Sequence, residues 1–316
     1  MDSRVAQDVA PFFDILAAPG GQPNLELREN SLVTTDGSSR YPISASGIPL
    51  FAVSSLSQEA DFQQKHYDEI AELYVTNLSY PHTQEYMAYL DRVLLEAVGT
   101  RNNGVTVELC CGHGEALKLG GVTMERYVGI DISEKMLEAA NSHEKRLPIL
   151  LVQADVTKIP LKAASVDTVM MLGGIHHIPD RAALFKEVAR ILKPGGRLIF
   201  REPASDFILW RALRAIIYRL SPMLDHATEQ PLLYSETEPV LRKAGLSLTR
   251  YRSCGFLGFC VFMNSDVLVF NRLFRFVPGI RAITRLSTYL DEALLRLPGL
   301  RRGGLQVVGV AERGNS

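Results

Sequence analysis

Short hydrophobic runs alternate with amphipathic stretches between Gly104 and Glu202. The runs have the length of buried β-strands, and apolar residues in the intervening stretches recur at three- and four-residue spacing, which predicts helices. The predicted strands are 105–110, 126–130, 149–153, 168–172 and 197–201, and the predicted helices are 115–119, 134–141 and 181–192. Because alternating strands and helices form parallel sheets with right-handed crossovers, we predict an α/β fold with helices on both faces of the sheet.

The pattern differs on both sides of this core. Residues 1–56 are rich in Pro, Gly and Ser, and strand-like runs at 25–28, 31–34 and 40–43 between turn signals predict a small β module. Helical spacing predicts a helical cap over 57–103, interrupted at Pro81.

After the core, we predict helical insertions at 207–220 and 266–297, a helix at 236–244 and strands at 247–252 and 305–311. We therefore divide the chain into two domains, 1–56 and 57–316. The larger one comprises the cap at 57–103, the core at 104–202, substrate-side helices and insertions at 203–304, and a last strand and tail at 305–316.

Charge is unevenly distributed along the 316 residues. Lys and Arg number 34 and Asp and Glu number 35, so the net charge of −1 does not indicate a nucleic-acid binder. Beyond Ala204, however, 15 basic and 9 acidic residues give a net charge of +6, and 14 of the basic residues are arginines. This arginine-rich third could contact phosphates or an anionic membrane surface, or its charges could be the solvated faces of amphipathic helices.

The cysteines, the start of the sequence and the length of its apolar stretches bear on the cellular location. Four cysteines in a chain of this length do not form a disulfide framework, which fits a reducing cytosol. The start of the sequence does not resemble a signal peptide, and the longest uncharged apolar stretch, 253–265, is too short to cross a bilayer. We expect a cytoplasmic protein with, at most, peripheral membrane contact.

The first strand-to-helix turn is where a ligand of an open α/β sheet is expected, beyond the carboxyl ends of the strands. Here it reads VELCCGHGE from Val107, and Gly112 and Gly114 allow close approach to the main chain. Asp131 ends the second strand 23 residues after Glu108, a spacing typical of an acid that binds ribose hydroxyls. A dinucleotide site would place a third glycine where Leu117 stands, so the nicotinamide reading is weaker.

Five segments in order carry a family resemblance: VELCCGHG, GIDIS, QADVTKIP, VDTVMMLGGIHHIPD and ILKPGGRLIF. Over about residues 60–310 the chain resembles the class I S-adenosylmethionine-dependent methyltransferases, in the branch that methylates quinones and other small molecules. The resemblance implies a Rossmann-like seven-stranded sheet, S-adenosyl-L-methionine as cofactor and methyl transfer as activity. One departure is Cys110, which stands where the family usually has its first glycine.

The resemblance also implies which residues contact the cofactor. Glu108 and the loop of Cys110, Gly112 and Gly114 would hold the methionine end, and Asp131 would hold the ribose. The other predicted cofactor contacts are Ile132, Met136, Asp155 and Val156 around the adenine, and Leu172 and Gly173 near the sulfonium.

The N-terminal module resembles a zinc ribbon found ahead of some methyltransferases. Its four ligand positions fall on Ala18, Gly21, Thr34 and Gly37, none of which is a usual zinc ligand. We therefore expect no metal, and a degenerate ribbon that depends on packing against the larger domain and serves as an interface or a substrate lid.

The acceptor site is predicted from possible bases, aromatic residues and arginines. We predict His177, His82 and Tyr67 as catalytic residues, because a base is needed when the acceptor must lose a proton. The predicted acceptor contacts are Tyr74, Tyr80, His176, Arg201 and Trp210. Aromatic residues interleaved with arginines after Glu202 suggest a hydrophobic acceptor with an anionic group, such as an isoprenoid, a quinone precursor or a polyketide, although they could equally be the core of the added helices.

Two other functions remain open at this stage. Some ribosomal RNA methyltransferases carry such a ribbon, but the acidic N-terminal part argues against RNA binding. A methyltransferase-fold protein could also bind the cofactor without methyl transfer, as a cyclase or a partner subunit. Separately, the arginine-rich segment 271–302 is a candidate for docking on anionic membranes.

Overall fold

The seven-stranded sheet is the centre of the fold. The structure, a computed structural model, describes residues 9–52, 79–141, 147–212, 230–263 and 269–315. The strands of the main sheet are β4 (Val105–Leu109), β5 (Arg126–Asp131), β6 (Ile149–Gln153), β7 (Val166–Leu172), β8 (Leu192–Pro203), β9 (Leu246–Cys254) and β10 (Gln306–Arg313). Their order is β6-β5-β4-β7-β8-β10-β9.

Parallel pairing joins β6, β5, β4, β7 and β8, whereas β10 lies antiparallel between β8 and β9. At the centre, Val107 is opposite both Val128 and Val169, and all three side chains are fully buried. The strand order reverses between β4 and β7. This switch point is where an open α/β sheet binds its ligand, and it confirms the predicted fold class.

Seven α-helices lie wholly within the described parts of the chain, and residues 208–212 are also helical. The seven helices are α1 (Pro81–Val98), α2 (Glu115–Lys118), α3 (Glu134–Ala140), α4 (Arg181–Ile191), α5 (Tyr234–Lys243), α6 (Leu257–Phe262) and α7 (Ile280–Leu295). Local sequence explains several ends: Pro81 opens α1, and the Ser133 hydroxyl and Asp180 carboxylate accept backbone N–H groups at the starts of α3 and α4. None of the described helices is long and apolar enough to cross a membrane.

Two predicted elements need correction. The stretch 266–297 is not one helix, because Gly279 (φ 72°) separates a 3₁₀ helix at Val269–Phe276 from α7. The strand predicted at 197–201 is longer than expected, because β8 begins at Leu192 and includes Pro194 and the two glycines after it, where the register against β7 shifts. The predicted helix over 207–220 is described only as far as residue 212, and Tyr67 and Tyr74 lie outside the described residues.

The N-terminal module is a three-stranded antiparallel sheet of β1 (Leu25–Arg28), β2 (Ser31–Thr34) and β3 (Arg40–Pro42). It lies against the outer edge of β6, where the Phe51 N–H donates to the Gln153 carbonyl (2.8 Å). Phe12, Leu16 and Leu32 belong to the same buried cluster as the centre of the main sheet. The module therefore has no separate core, in line with its expected dependence on the larger domain.

The four positions that the zinc-ribbon resemblance would assign to ligands lie in two turns or at their edges, and hydrogen bonds hold both turns. The Thr34 hydroxyl accepts the Ser39 N–H (2.9 Å), and the Asp36 carboxylate accepts the N–H (2.9 Å) and hydroxyl (2.8 Å) of Ser38. These hydrogen bonds lower the pKa of Asp36 to about 2. Backbone bonding closes the other turn, since the Gly21 N–H donates to the Ala18 carbonyl (2.8 Å). No group of three or more potential metal ligands occurs within the described ranges, and the metal-free state stays a prediction.

Candidate functional site

The turn between β4 and α2 winds through left-handed backbone. Cys110 (φ 52°), Gly112 (φ 49°) and Gly114 (φ 75°) all have positive φ. Glycine adopts this conformation freely, whereas a residue with a Cβ is strained in it by about 1–2 kcal/mol. The turn thus has the geometry of a glycine-rich loop, and Cys110 occupies a position that favours glycine.

Glu108 lies beneath this loop and is fully buried. Its carboxylate accepts the Ala116 N–H of α2 (3.0 and 3.1 Å) and the Tyr127 hydroxyl (2.5 Å). Burial raises the pKa of Glu108 to about 8, although both donors oppose the rise. Both oxygens already bind protein groups, so Glu108 ties the start of α2 to β5.

Asp131, at the end of β5, joins two loops. One carboxylate oxygen accepts the Gly112 N–H (2.8 Å) and the other accepts the Ser133 N–H (2.9 Å). Burial raises its pKa, and these two bonds oppose the rise. A carboxylate offers about four acceptor sites, so the two oxygens retain capacity for two hydroxyl groups of a ligand. Asp131 is therefore held in a fixed orientation without being saturated.

Apolar side chains flank this carboxylate. Ile132 and Met136 are partly exposed, and the end of the Met136 side chain lies 3.4 Å from where a Cβ on Gly112 would stand. Beyond β6, Val156 is buried and one oxygen of Asp155 accepts the N–H (2.8 Å) and hydroxyl (2.7 Å) of Thr157. Asp155 therefore caps a local turn, the alternative role that an acid at this position can take.

Gln153, which the sequence analysis did not single out, connects the N-terminal module to this region. Its amide nitrogen donates to the Ile132 carbonyl (3.2 Å), and its amide oxygen accepts the Ala52 N–H (3.2 Å). The only sequence signal for this role is a glutamine at the end of an apolar strand. The contact means that the loop after Asp131 is supported from the N-terminal module.

Cys110 packs against the loop that follows β7. A Cβ on Gly174 would lie 2.5 Å from the Cys110 Cβ and 2.8 Å from its sulfur, so glycine at 174 provides the space for the cysteine side chain. Burial raises the pKa of the Cys110 thiol, and the carboxylates of Asp131 and Glu202 raise it further. The thiol is therefore neutral at physiological pH and unsuited to act as a nucleophile.

Glu202, also missed by the sequence analysis, ends β8 and is fully buried. It accepts the N–H groups of Gly174 and Ile175 (both 2.8 Å) and contacts the Nδ1 atom of His176 (2.8 Å). Its position at a strand end was visible in the sequence, but its partners come from another strand end. Glu202 fixes the loop of Leu172 and Gly173 and orients His176, whose ring lies 3.8 Å from that of His177.

Three predicted acceptor contacts already have protein partners. Arg201 pairs with Asp91 of α1 (2.6 Å), and the Trp210 indole N–H donates to the Gly303 carbonyl (2.7 Å). The Tyr80 ring stacks with His82 at 5.7 Å between centroids. Arg201 thus joins β8 to α1, and the contact of all three side chains with an acceptor stays a prediction.

His82, in the first turn of α1, lies among aromatic side chains of α6 and the 3₁₀ helix at Val269–Phe276. Its side chain is fully buried near Tyr80, Phe262 and Phe274, with both ring nitrogens unpaired among the described residues. Burial lowers its pKa, so the ring is neutral. In the described structure His82 is therefore a packed core histidine, and its catalytic role stays a prediction.

Taken together, the switch point combines fixed carboxylates with apolar walls. Asp131, Asp155 and Glu202 all lie near Cys110 and contribute negative potential there, whereas Ile132 and Val156 are apolar. Such a site fits a ligand with a flat apolar part, vicinal hydroxyls and a positive charge.

Comparisons with known proteins agree with this geometry. Residues 107–200 match the family model described as a methyltransferase domain. The 27-O-demethylrifamycin SV methyltransferase of Amycolatopsis mediterranei is 35% identical over 33% of this chain and 38% of its own length. The demethylmenaquinone methyltransferase of Staphylococcus aureus is 28% identical over 43% of this chain and 58% of its own. The chain thus spans from about two-fifths to under two-thirds of these relatives.

One solved structure illustrates the breadth of the fold. The [4+2]-cyclase SpnF superposes on this chain with a TM-score of 0.54 and 16% sequence identity. The match covers 80% of this chain and 96% of the SpnF chain. At this identity the likeness concerns the fold alone.

Proposed function

We propose that this chain, which carries a class I S-adenosylmethionine-dependent methyltransferase domain, transfers a methyl group to a hydrophobic small molecule. The observation that supports this most is the carboxylate of Asp131, fixed between the Gly112 and Ser133 N–H groups beside the switch point. A carboxylate so placed can accept both hydroxyl hydrogens of a ribose.

The residues around the switch point fit S-adenosyl-L-methionine. Asp131 would bind the ribose, Ile132 and Met136 would cover the adenine, and Asp155 with Val156 would meet its amine edge. Gly112 and Gly114 would lie along the methionine part, with Leu172 and Gly173 toward the sulfonium. Glu108 and Cys110 would act by holding the loop, because their side chains are occupied by α2, β5 and Gly174.

Electrostatics favour the same ligand. The bound cofactor supplies an electrophilic methyl group on a positively charged sulfur. Several carboxylates near Cys110 create a negative potential that stabilises a cation. The protein's task is then to align an acceptor with that methyl group, which is the main source of rate acceleration in a displacement of this kind.

For the acceptor, we infer an apolar small organic molecule. Aromatic side chains near the carboxyl ends of β8 and β9 support this inference, since Phe207, Trp210 and Phe256 have ring centroids 5.5–6.3 Å apart. The names of the two relatives refer to a rifamycin and a menaquinone precursor, both small organic molecules. Isoprenoids, quinone precursors and polyketides are the classes to screen first.

If the acceptor must lose a proton, His176 and His177 are the candidates to accept it. They follow β7 at the switch point, and Glu202 orients the His176 ring. With Nδ1 facing the carboxylate, the other ring nitrogen of His176 can accept a proton. Tyr67, Tyr74 and His82 remain candidates from the sequence.

Calorimetric titration with S-adenosylmethionine tests the proposal directly. We expect micromolar binding by the wild type and a roughly ten- to hundredfold weaker affinity for Asp131→Ala, because charged hydrogen bonds to the ribose are worth about 1.5–3 kcal/mol. Asp36→Ala, an exposed acid in the N-terminal module, is the matched control and should bind normally.

Absence of binding by the folded wild type would refute the proposal. Binding without transfer of a labelled methyl group to any apolar acceptor would instead favour a cofactor-binding protein without methyl transfer. Transfer to ribosomal RNA would favour the remaining alternative.

A further inference from the structure

Exposed hydrophobic side chains are concentrated in one part of the chain. Among the described residues, all thirteen large hydrophobic side chains that are exposed lie between Ile208 and Leu297. Scattered exposed hydrophobic residues are normal, whereas a contiguous group of them marks an interaction surface.

The 3₁₀ helix at Val269–Phe276 presents one continuous apolar row. Phe270, Leu273 and Phe276 are 54%, 64% and 68% exposed, and they recur every three residues. Because a 3₁₀ helix has three residues per turn, these side chains lie on the same face. The arginines at 272 and 275 occupy the adjacent positions.

Helix α7 follows directly and differs from an ordinary surface helix, because it buries several polar side chains and exposes several hydrophobic ones. Its buried positions include the polar residues Thr284, Thr288 and Asp291, whereas Ile283, Leu286 and Leu290 are about half to more than two-thirds exposed. The spacing of three and four residues places these three on one face. We call Phe270, Leu273, Phe276, Ile283, Leu286 and Leu290 the apolar surface.

Positive charge accompanies the apolar surface. The segment 269–305 contains seven arginines and two acids. Of the acids, Asp291 is fully buried, and Glu292 pairs with Arg252 of β9 (2.5 Å). Glu292 also lies 4.0 Å from Arg296, which is 82% exposed, and Glu85 of α1 pairs with Arg285 (2.8 Å) and Arg281 (4.0 Å). Seven arginines against these three acids leave a net positive charge beside the apolar surface.

We propose that the apolar surface docks on an anionic lipid bilayer. Interfacial helices combine an apolar face, aromatic side chains and flanking arginines in this way, with the apolar side chains at the acyl boundary and the arginines at the headgroups. A second copy of the chain fits less well, because a symmetric contact through this surface would bring arginines against arginines. The proposal rests on this surface and is independent of the cofactor site.

Vesicle flotation tests the proposal with the full chain. We expect it to float with vesicles of phosphatidylcholine containing about one-third phosphatidylglycerol at about 0.05 M salt, and to lose most binding at about 0.5 M salt. Vesicles of phosphatidylcholine alone should bind far less. The triple variant Phe270→Ser, Leu273→Ser, Phe276→Ser should reduce the bound fraction about tenfold or more, because it removes three large apolar side chains.

A matched control removes exposed apolar side chains elsewhere. Ile208→Ser with Leu209→Ser, where the side chains are 70% and 63% exposed, should bind like the wild type. Far-ultraviolet circular dichroism must show that the variants fold. No flotation at low salt, or equal flotation of the triple variant, would overturn the proposal. So would a dimer, seen by light scattering, that Leu286→Ser dissociates, since a second copy would then cover the surface.

Discussion

The two ends of the sheet use their buried carboxylates differently. Around β4, β5 and β6, Glu108 and Asp131 bind the backbone of loops that surround the switch point, and no described large hydrophobic side chain is exposed. Around β8, β9 and β10, Asp291 binds the N–H groups of Phe256 and Gly258 and the Tyr86 hydroxyl, and so joins three helices. At one end of the sheet the carboxylates fix the loops of the switch point. At the other end Asp291 fixes a helical layer whose outer face is exposed to solvent.

This difference explains why the loops at the switch point are easier to predict from the sequence than the helical layer. Loop conformations at the first end depend on glycines and on acids at strand ends, which are local signals. The helical layer depends on contacts between residues far apart in the chain. We expect substitutions in this layer to leave the loops of the switch point undisturbed. Four predictions test this separation.

The largest expected effect concerns the pH dependence of stability at Glu108. Its pKa is raised from 4.5 to about 8 in the folded state, so the folded protein binds more protons than the unfolded one between these values. Stability therefore falls as pH rises through this window, by up to about 1.4 kcal/mol per unit. In Glu108→Gln this contribution is absent. Denaturant unfolding should show the variant gaining up to about 4 kcal/mol relative to wild type between pH 5 and pH 8. A constant difference would show that Glu108 does not titrate in that range.

At the other end, Asp291→Ala should lower the free energy of unfolding by about 3 kcal/mol. The change leaves two buried N–H groups and one buried hydroxyl without an acceptor. Tyr86→Phe removes only the hydroxyl, and we expect a loss of about 1 kcal/mol. Calorimetric affinity for S-adenosylmethionine at a temperature where both variants are folded should remain close to wild type. A large loss of affinity would mean that the two ends are not separable.

A mutant cycle between Cys110 and Gly174 tests the fit within the switch point. Gly174 has φ −116°, which alanine tolerates, so Gly174→Ala is disfavoured only by the contact of its Cβ with Cys110. We expect a loss of about 2 kcal/mol in the wild-type background and a much smaller loss in Cys110→Gly. The variant Cys110→Gly alone should gain about 1 kcal/mol from relief of backbone strain. Additive effects in thermal unfolding would contradict the contact.

The smallest effect is expected at His82. Its folded-state pKa is lowered below 6.5, so the folded protein binds fewer protons and loses stability as pH falls below that value. His82→Phe removes this loss and preserves the aromatic packing. Its Tm relative to wild type should be higher at pH 5 than at pH 8. An unchanged difference would show that the ring is not buried neutral in solution.

Much of the sheet was predictable from the sequence. The strands at Leu25–Arg28, Ser31–Thr34 and Ile149–Gln153 were predicted with the bounds observed, and those at the other sheet positions differ by a few residues at their ends, most of all β8. Buried parallel strands are continuous apolar runs, so their position is a local property. The break at Gly279 was missed because apolar spacing continues on both sides of it.

The site was predictable in part. The position of Asp131 and the glycines at the switch point was predictable because they carry a motif, whereas Glu202 and Gln153 were not singled out, since each binds a partner distant in the chain. Phe270 and Phe276 were expected around an acceptor, yet both are exposed in the described structure. Burial of an aromatic residue depends on tertiary packing, which spacing alone does not determine.

The contact between the N-terminal module and β6 has a consequence for solubility. β6 is an edge strand of five consecutive buried residues, Ile149–Gln153, and residues 49–51 pair with its end through both backbone groups of Gln153. Such an edge can pair with another chain and lead to aggregation. We therefore expect the module to limit self-association of the sheet, a task that requires only backbone pairing and apolar packing and places no demand on the side chains at 18, 21, 34 and 37.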